Sequence, residues 1–294
     1  MEQIIQQLIN GVSLGSIYAL IALGYTMVYG ILSLINFAHG DIYMIGAFVG
    51  YALTTFLGLG FLPSLILAMI ACSILGMIIE KIAYKPMRKS SKIAILITAI
   101  SVSLFLQYIM VYFVGPETRT FPNVLESKQI TLFDGNVILY SKNIYILAIT
   151  VILMIALQYI VRRTKVGKAM RAVALDKDAA ELMGINVNKI ISYTFAMGSA
   201  LAGAAGVLVG VYYNTINPLM GSGPGLKAFV AAVLGGIGLI PGAVFGGFFL
   251  GITETIVSAF GGSVYKDAVA FAILIIILLV KPTGLLGKNL KEKV

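Results

Sequence analysis

Few residues in this 294-residue chain could do chemistry. Its only histidine, His39, and a carboxylate, Asp41, stand in "INFAHGDIYMIG" (35–46) between apolar runs. Its only cysteine, Cys72, lies inside another such run. "GVSLG" (11–15) fits G-x-S-x-G, the nucleophile elbow, which works by exposing a serine on a strained strand-to-helix turn. Ser13, however, sits in an apolar helical run, where Gly11 and Gly15 have a helix-packing spacing. One His and one Cys cannot supply the three or four ligands of a zinc site. H-E-x-x-H and G-x-x-x-x-G-K-[ST] are both absent, so neither a zincin nor a P-loop is encoded. No catalytic residue is expected, and the chain does not read as an enzyme.

These residues must be held by elements suited to an apolar solvent. The chain is 59% hydrophobic and 11% charged, against about 25% charged for a soluble domain. A spanning helix needs about 20 mostly apolar residues. Apolar stretches run at 5–30, 41–57, 61–80, 93–114, 143–161, 190–213, 227–259 and 267–281. The seventh is too long for one span and is interrupted by "GGIGLIPG" (235–242). The sequence therefore predicts an all-α, polytopic transmembrane bundle of about 8–9 spans with broken helices, as a single transmembrane domain over 1–294. No basic leader precedes the first apolar run, so no cleavable signal is expected.

Loop charge sets the orientation. Lys81, Lys85, Arg88, Lys89 and Lys92 crowd 81–92 without an acid. Basic residues also dominate 162–189 and the tail after Val280, whereas 115–142 is balanced. Basic loops stay in the cytoplasm, so 115–142 is an exterior loop, and counting spans back places residues 1–3 outside unless 31–40 crosses only in part. The net charge of +9 thus signals orientation, not nucleic-acid binding. Within the exterior loop, "QITLFDGNVILY" (129–140) alternates about Asp134-Gly135 as a β-hairpin does, an irregular loop being the alternative.

Ionisable and polar groups inside a membrane are costly and mark candidate sites. Asn36, His39, Asp41, Asn217 and Glu254 are the candidates for a translocation pathway or gate, with Lys227 and Asn214 beside them. His39 and Asp41 could instead cap a helix, Asp41 favouring its N-terminal dipole. "GILSLINFAHG" (30–40) and "VYYNTINPLMG" (211–221) share Ile-Asn and a glycine four residues after the Asn, a faint repeat of the kind transporters use at interrupted helices. Small residues at steps of four (Gly198, Ala202, Gly206, Gly210; Gly242, Gly246; Gly247, Gly251) predict close helix packing or a subunit interface.

The segment 163–189 is more than a tether. Asp176 can N-cap a short helix from Lys177 to Met183, and Gly184 supplies its left-handed stop. Ala179 and Ala180 would give that helix a small face for another protein. The stretch resembles the cytoplasmic coupling segment of ABC-importer permeases. "GSIYALIALGYTMVYGILSLINFAHGD" (15–41), "ELMGIN" (181–186), "INPLMGSGPGLKAFVAAVLGGIGLIPGAVFGG" (216–247) and "KPTGLLG" (281–287) are similar to the branched-chain amino acid ABC-importer permeases of the LivH type. Members for urea or short amides share parts of these motifs. The resemblance implies an inner-membrane permease of a bacterium or archaeon, carrying leucine, isoleucine and valine. It implies four partners: a second related permease, two ATPase subunits that hold the ATP, and an external binding protein. This chain itself would need no cofactor. Asp176, Asp178, Ala179, Ala180, Glu181 and Gly184 would form its ATPase-coupling element. An ATP-independent channel or secondary transporter is the rival class, and it would not need such a segment.

Overall fold

The computed structural model describes residues 2–32, 34–88, 90–132 and 137–287. Eleven α-helices dominate the described residues, and seven helical stretches are long and apolar enough to cross a membrane. The first is α1 (Glu2–Leu32). Next comes α2 (His39–Thr55), then α3 (Phe61–Ile79), which runs through a π-turn (Glu80–Tyr84) to Met87. After α4 (Lys92–Val114) and the exterior loop come α5 (Ser141–Arg163), α6 (Lys165–Leu175) and α7 (Lys177–Leu182). The chain closes with α8 (Val187–Tyr213), α9 (Ser222–Gly235), α10 (Ile240–Phe260) and α11 (Lys266–Val280). Over an apolar 18-residue stretch of each, α1 and α8 are 94% and 89% buried, against 17% for α4 and α5, so the bundle is built around those two.

Contacts identify the two ends of the bundle. Gln6 of α1 exchanges hydrogen bonds with the backbone of Ile138 in the 115–142 loop (3.0 and 2.7 Å), so the start of α1 lies at the same end of the bundle as that loop. At the other end Arg88 donates to Asn188 (2.6 Å), joining the two basic segments. There too Leu285 of the tail donates to the Leu234 carbonyl (2.8 Å). The expected hairpin forms from β2 (Gln129–Leu132) and β3 (Val137–Tyr140), paired antiparallel from Gln129↔Tyr140 to Leu132↔Val137. Its Asp134-Gly135 turn lies outside the described residues. A second pairing joins β1 (Arg119–Thr120) to β4 (Thr215–Ile216) on the same side.

Glycine lets the helices approach closely, and the contacts lie within the chain. A Cβ on Gly15 would lie 2.8 Å from the Phe248 Cα, and one on Gly247 would lie 2.5 Å from the Ala19 Cα, so α1 and α10 touch backbone to backbone. Gly246, one residue from Gly247, faces Ala231 of α9 instead, so the two ladders on α10 serve different neighbours. On α8, Gly203 meets Cys72 and Ala68 of α3, while Gly206 meets Tyr43 and Ala47 of α2. Ser13 is buried in α1, its hydroxyl bonded to the Ile9 carbonyl (3.0 Å), which leaves no elbow for a nucleophile.

The two short helices are the irregular part. At ~1.5 Å per residue, α2 and α9 reach only ~25 and ~21 Å, less than a ~30 Å hydrocarbon core. Each starts inside the bundle. His39, the first residue of α2, lies against Gly24 of α1, eight residues short of that helix's end at Leu32. From there α2 runs to the end of the bundle that carries the 115–142 loop, where the Tyr51 ring meets Phe121 and Arg119. In the opposite sense, α9 follows strand β4 at that end and runs until Gly235 meets Gly242 at the other.

Two outcomes test this architecture. In a Cys72→Ala background, cysteine at exposed Lys177 should resist an impermeant thiol reagent in intact cells, and cysteine at exposed Glu126 should label; equal labelling would contradict the assigned sides. Gly247→Leu should lower the thermal midpoint of the purified protein, an overpacking cost of about 1–3 kcal/mol, whereas Phe249→Leu on the exposed face of the same helix should not.

Candidate functional site

The two short helices meet at their N-termini. Their lead-in segments turn in the same way: His39 N donates to the Asn36 carbonyl (3.1 Å), and Met220 N donates to the Asn217 carbonyl (3.2 Å). Four residues after each asparagine comes a glycine, Gly40 or Gly221, and these two glycines face each other. A Cβ on Gly221 would lie 2.6 Å from the Gly40 carbonyl oxygen, and a Cβ on Gly40 would strike the Gly221 carbonyl oxygen. The two glycines hold equivalent positions of the repeat, and contact between equivalent positions is what a two-fold relation of the two segments produces. The faint sequence repeat is thus a pair of oppositely directed half-helices, crossing where neither backbone carries a side chain.

Asp41 stands at that crossing. It is 1% exposed, in the first turn of α2, and its Oδ1 would lie 2.9 Å from a Cβ on Gly221. Helix N-termini carry partial positive charge, and here two of them converge beside one carboxylate. Gln107 of α4 adds a hydrogen bond (Nε2 to Oδ1, 2.8 Å) and is itself steadied on Ser103 (3.3 Å). No cation pairs with Asp41 among the described residues. The helix-capping reading holds in part: Asp41 stands in the first turn of α2, at its positive end, but the N-cap is Ala38, without a side-chain hydrogen bond, and the Asp41 carboxylate crosses to α4. A cavity of about 210 Å³ opens beside it, lined by Tyr25, Asp41, Ser103, Gly221, Ser222 and Gly225 together with apolar side chains of α4.

The other candidates separate from Asp41. His39 does not line this cavity: its ring is 1% exposed, packed edge-on to Tyr25 (centroids 4.7 Å) in the hollow left by Gly24. Asn36 accepts from the Tyr84 hydroxyl (2.7 Å), which ties the first break to the π-turn of α3. Asn217 makes a local turn, accepting from Leu219 N (3.0 Å), and Asn214 ends α8 in the left-handed region (φ 55°). Glu254 lies in a different cluster: it accepts from Tyr18 of α1 (2.8 Å) and pairs with Lys227 of α9 (2.7 Å), which also reaches Asp267 of α11 (2.6 Å). That network binds four helices together; it is not part of the Asp41 cavity.

Sequence reasoning missed Glu80, Gln107 and Tyr84. Glu80 is 1% exposed in the π-turn, pairs with Arg88 and accepts from Ser192 of α8 (2.6 Å). An acid at the end of an apolar run, eight residues before an arginine, was the available signal.

The segment 163–189 folds largely as the sequence predicts. Asp176 caps α7, accepting from Asp178 N (2.9 Å) and Ala179 N (3.0 Å). Gly184 (φ 80°) ends it, with Ile185 N bonded back to the Ala180 carbonyl (3.0 Å). One expectation is corrected. Ala180 does not share an exposed face with Ala179; it is 4% exposed and packs into this chain's own core. Adjacent residues on a helix point about 100° apart, and of this short helix it is the Ala180 position that faces the chain's own core while its neighbours on both sides are exposed. The projecting surface carries Asp178, Ala179 and Glu181 beside the apolar side chains of Leu182 and Met183, 89% and 82% exposed.

A family model described as "Branched-chain amino acid transport system / permease component" matches residues 7–278. The chain is 45% identical to the high-affinity branched-chain amino acid transport system permease protein BraD of Pseudomonas aeruginosa, covering 99% of this chain and 98% of that one. It is 44% identical to the corresponding permease LivH of Escherichia coli K12, covering 99% and 97%. Among solved structures, PsaBC from Streptococcus pneumoniae in complex with Fab superposes with a TM-score of 0.52 at 13% identity, covering 93% of this chain and 91% of that one. That match speaks for the fold alone; by its family model and its full-length relatives, the chain is a multi-pass membrane protein and belongs to the branched-chain amino acid transport permease family.

Proposed function

We propose that this chain is a permease subunit of an ABC importer that carries leucine, isoleucine and valine across the inner membrane, without catalysis or cofactor of its own. Full-length similarity to two high-affinity branched-chain amino acid permeases is the observation that carries the reading. The partners are a second related permease, two ATPase subunits that bind ATP, and an external binding protein. The whole of 1–294 acts as one permease domain.

On this reading the Asp41 cavity borders the route. Its carboxylate suits the ammonium group of an amino acid, the N-terminus of α9 suits the carboxylate, and the apolar wall of α4 suits the side chain. Asn36 and Asn217 shape the two breaks and His39 wedges α2 against α1, so these three position the gate. Glu254 fastens α9 to α1 and α11. The coupling element is α7 with its caps: Asp176 and Gly184 set its direction, Asp178, Ala179 and Glu181 meet the ATPase, and Ala180 seats the helix on the permease. Exposed Leu182 and Met183 supply the apolar contact, since large apolar side chains this exposed on the cytoplasmic side mark an interaction surface.

Three measurements check the proposal. Deleting the gene should abolish high-affinity leucine, isoleucine and valine uptake; unchanged uptake with loss of urea uptake would reassign the substrate. Leu182→Asp/Met183→Asp should leave membrane levels intact but cut ATPase co-purification by about tenfold or more, the order expected when a central apolar contact worth ~2 kcal/mol is lost, whereas Lys189→Ala should do nothing. Asp41→Asn, which keeps the bond to Gln107 but removes the charge, should reduce uptake with ATPase assembly unchanged; normal uptake would remove Asp41 from the route.

A further inference from the structure

On the cytoplasmic half of the bundle α5 and α10 diverge, leaving an apolar groove of about 440 Å³. Met154, Ile155 and Tyr159 form one wall, and Ile240, Pro241 and Val244 the other. Arg162 and Arg163 close the end nearest the cytoplasm. Both arginines are exposed, and neither has a carboxylate partner among the described residues. Gln158, with its amide oxygen turned toward Arg162, accepts from that side chain (Nε at 2.7 Å, an Nη at 3.2 Å) and holds it over the groove. Loop-charge orientation and the α5 dipole account for arginines at this helix end. Neither accounts for an apolar channel that leads away from them along the membrane.

We propose that this groove binds one anionic phospholipid, its phosphate on Arg162 and Arg163 and an acyl chain along Ile155, Tyr159 and Val244. Guanidinium groups match phosphate oxygens in paired, charge-assisted hydrogen bonds, and basic pockets between helices on the cytoplasmic side suit anionic headgroups. Charge complementarity selects lipid over a second membrane protein: the cytoplasmic ends of membrane helices are themselves basic, so a protein neighbour would bring like charge to two unpaired arginines. Lys165, Lys168 and Arg171 of α6 follow within the next eight residues and extend the cationic border.

The chain contains no tryptophan, so one introduced indole reports on this groove alone. Full-length Tyr159→Trp is reconstituted in equimolar vesicles in which either phosphatidylglycerol or phosphatidylcholine carries bromines on its acyl chains. Brominated phosphatidylglycerol should quench this indole with a preference of roughly tenfold. Ile74→Trp, exposed on α3 away from the groove, should show no preference. Arg162→Gln/Arg163→Gln, and separately Val244→Phe, which fills the groove while keeping both arginines, should bring the preference at position 159 back to that of position 74. Equal quenching by both lipids at position 159 overturns the proposal, as does a preference that survives the double arginine variant. So does a photo-crosslinker at position 159 that captures a second permease subunit in intact cells instead of lipid.

Discussion

In a membrane every backbone polar group must find its partner within the protein, which restricts spans to helices and confines broken backbone to places covered by protein or water. This chain breaks two spans and places both breaks at one point. Gly40 and Gly221 bring the two backbones together there, the asparagine turns close the lead-in segments, and α1 and α8 wrap the crossing. Much else follows from that point. Two positive helix ends create a setting in which Asp41 can stay buried without a cation, and Gln107 fixes its direction. His39 needs the space that Gly24 leaves, and the opposite senses of α2 and α9 give the bundle its internal two-fold.

A series of direct contacts connects this crossing to α7 in the basic segment 163–189. Asp176 and Gly184 fix α7, and Asn186, which accepts from Lys189 N, starts α8 just beyond. Asn188 and Ser192 on the first turns of α8 hold Arg88 and Glu80, and the π-turn that carries Glu80 also carries Tyr84, bonded to Asn36 in the first break. π-turns recur at functional sites because the extra residue re-aims side chains. Here it sends Glu80 and Tyr84 inward from one face of α3, so α7 and the broken segment belong to one packed unit.

The architecture was legible where physics acts locally. Span length, the hairpin alternation, the Asp176 cap and the Gly184 stop each depend on residues close in sequence. The coupling of sites was not legible. Asp41 meets Gln107 across 66 positions, Glu254 meets Tyr18 across 236, and nothing within either neighbourhood encodes its partner. The alanine pair failed as a guide for the same reason: outward and inward faces of a six-residue helix depend on what lies beneath it. The Ile-Asn and glycine match between 30–40 and 211–221 was the exception, a weak local signal for a contact about 180 residues apart, and it points to the residues that touch.

The claim on which the account turns is that Gly40 and Gly221 are in contact at a shared crossing. A double-mutant cycle measures this directly. Gly40→Ala and Gly221→Ala are made singly and together, and the thermal stability of each purified protein is compared in the same detergent. If the backbones touch, either alanine forces them apart, so the second substitution costs less than it does alone and the coupling exceeds about 0.5 kcal/mol. Strictly additive losses, or no loss from either alanine, would mean that the two half-helices do not meet at these glycines and would contradict the account.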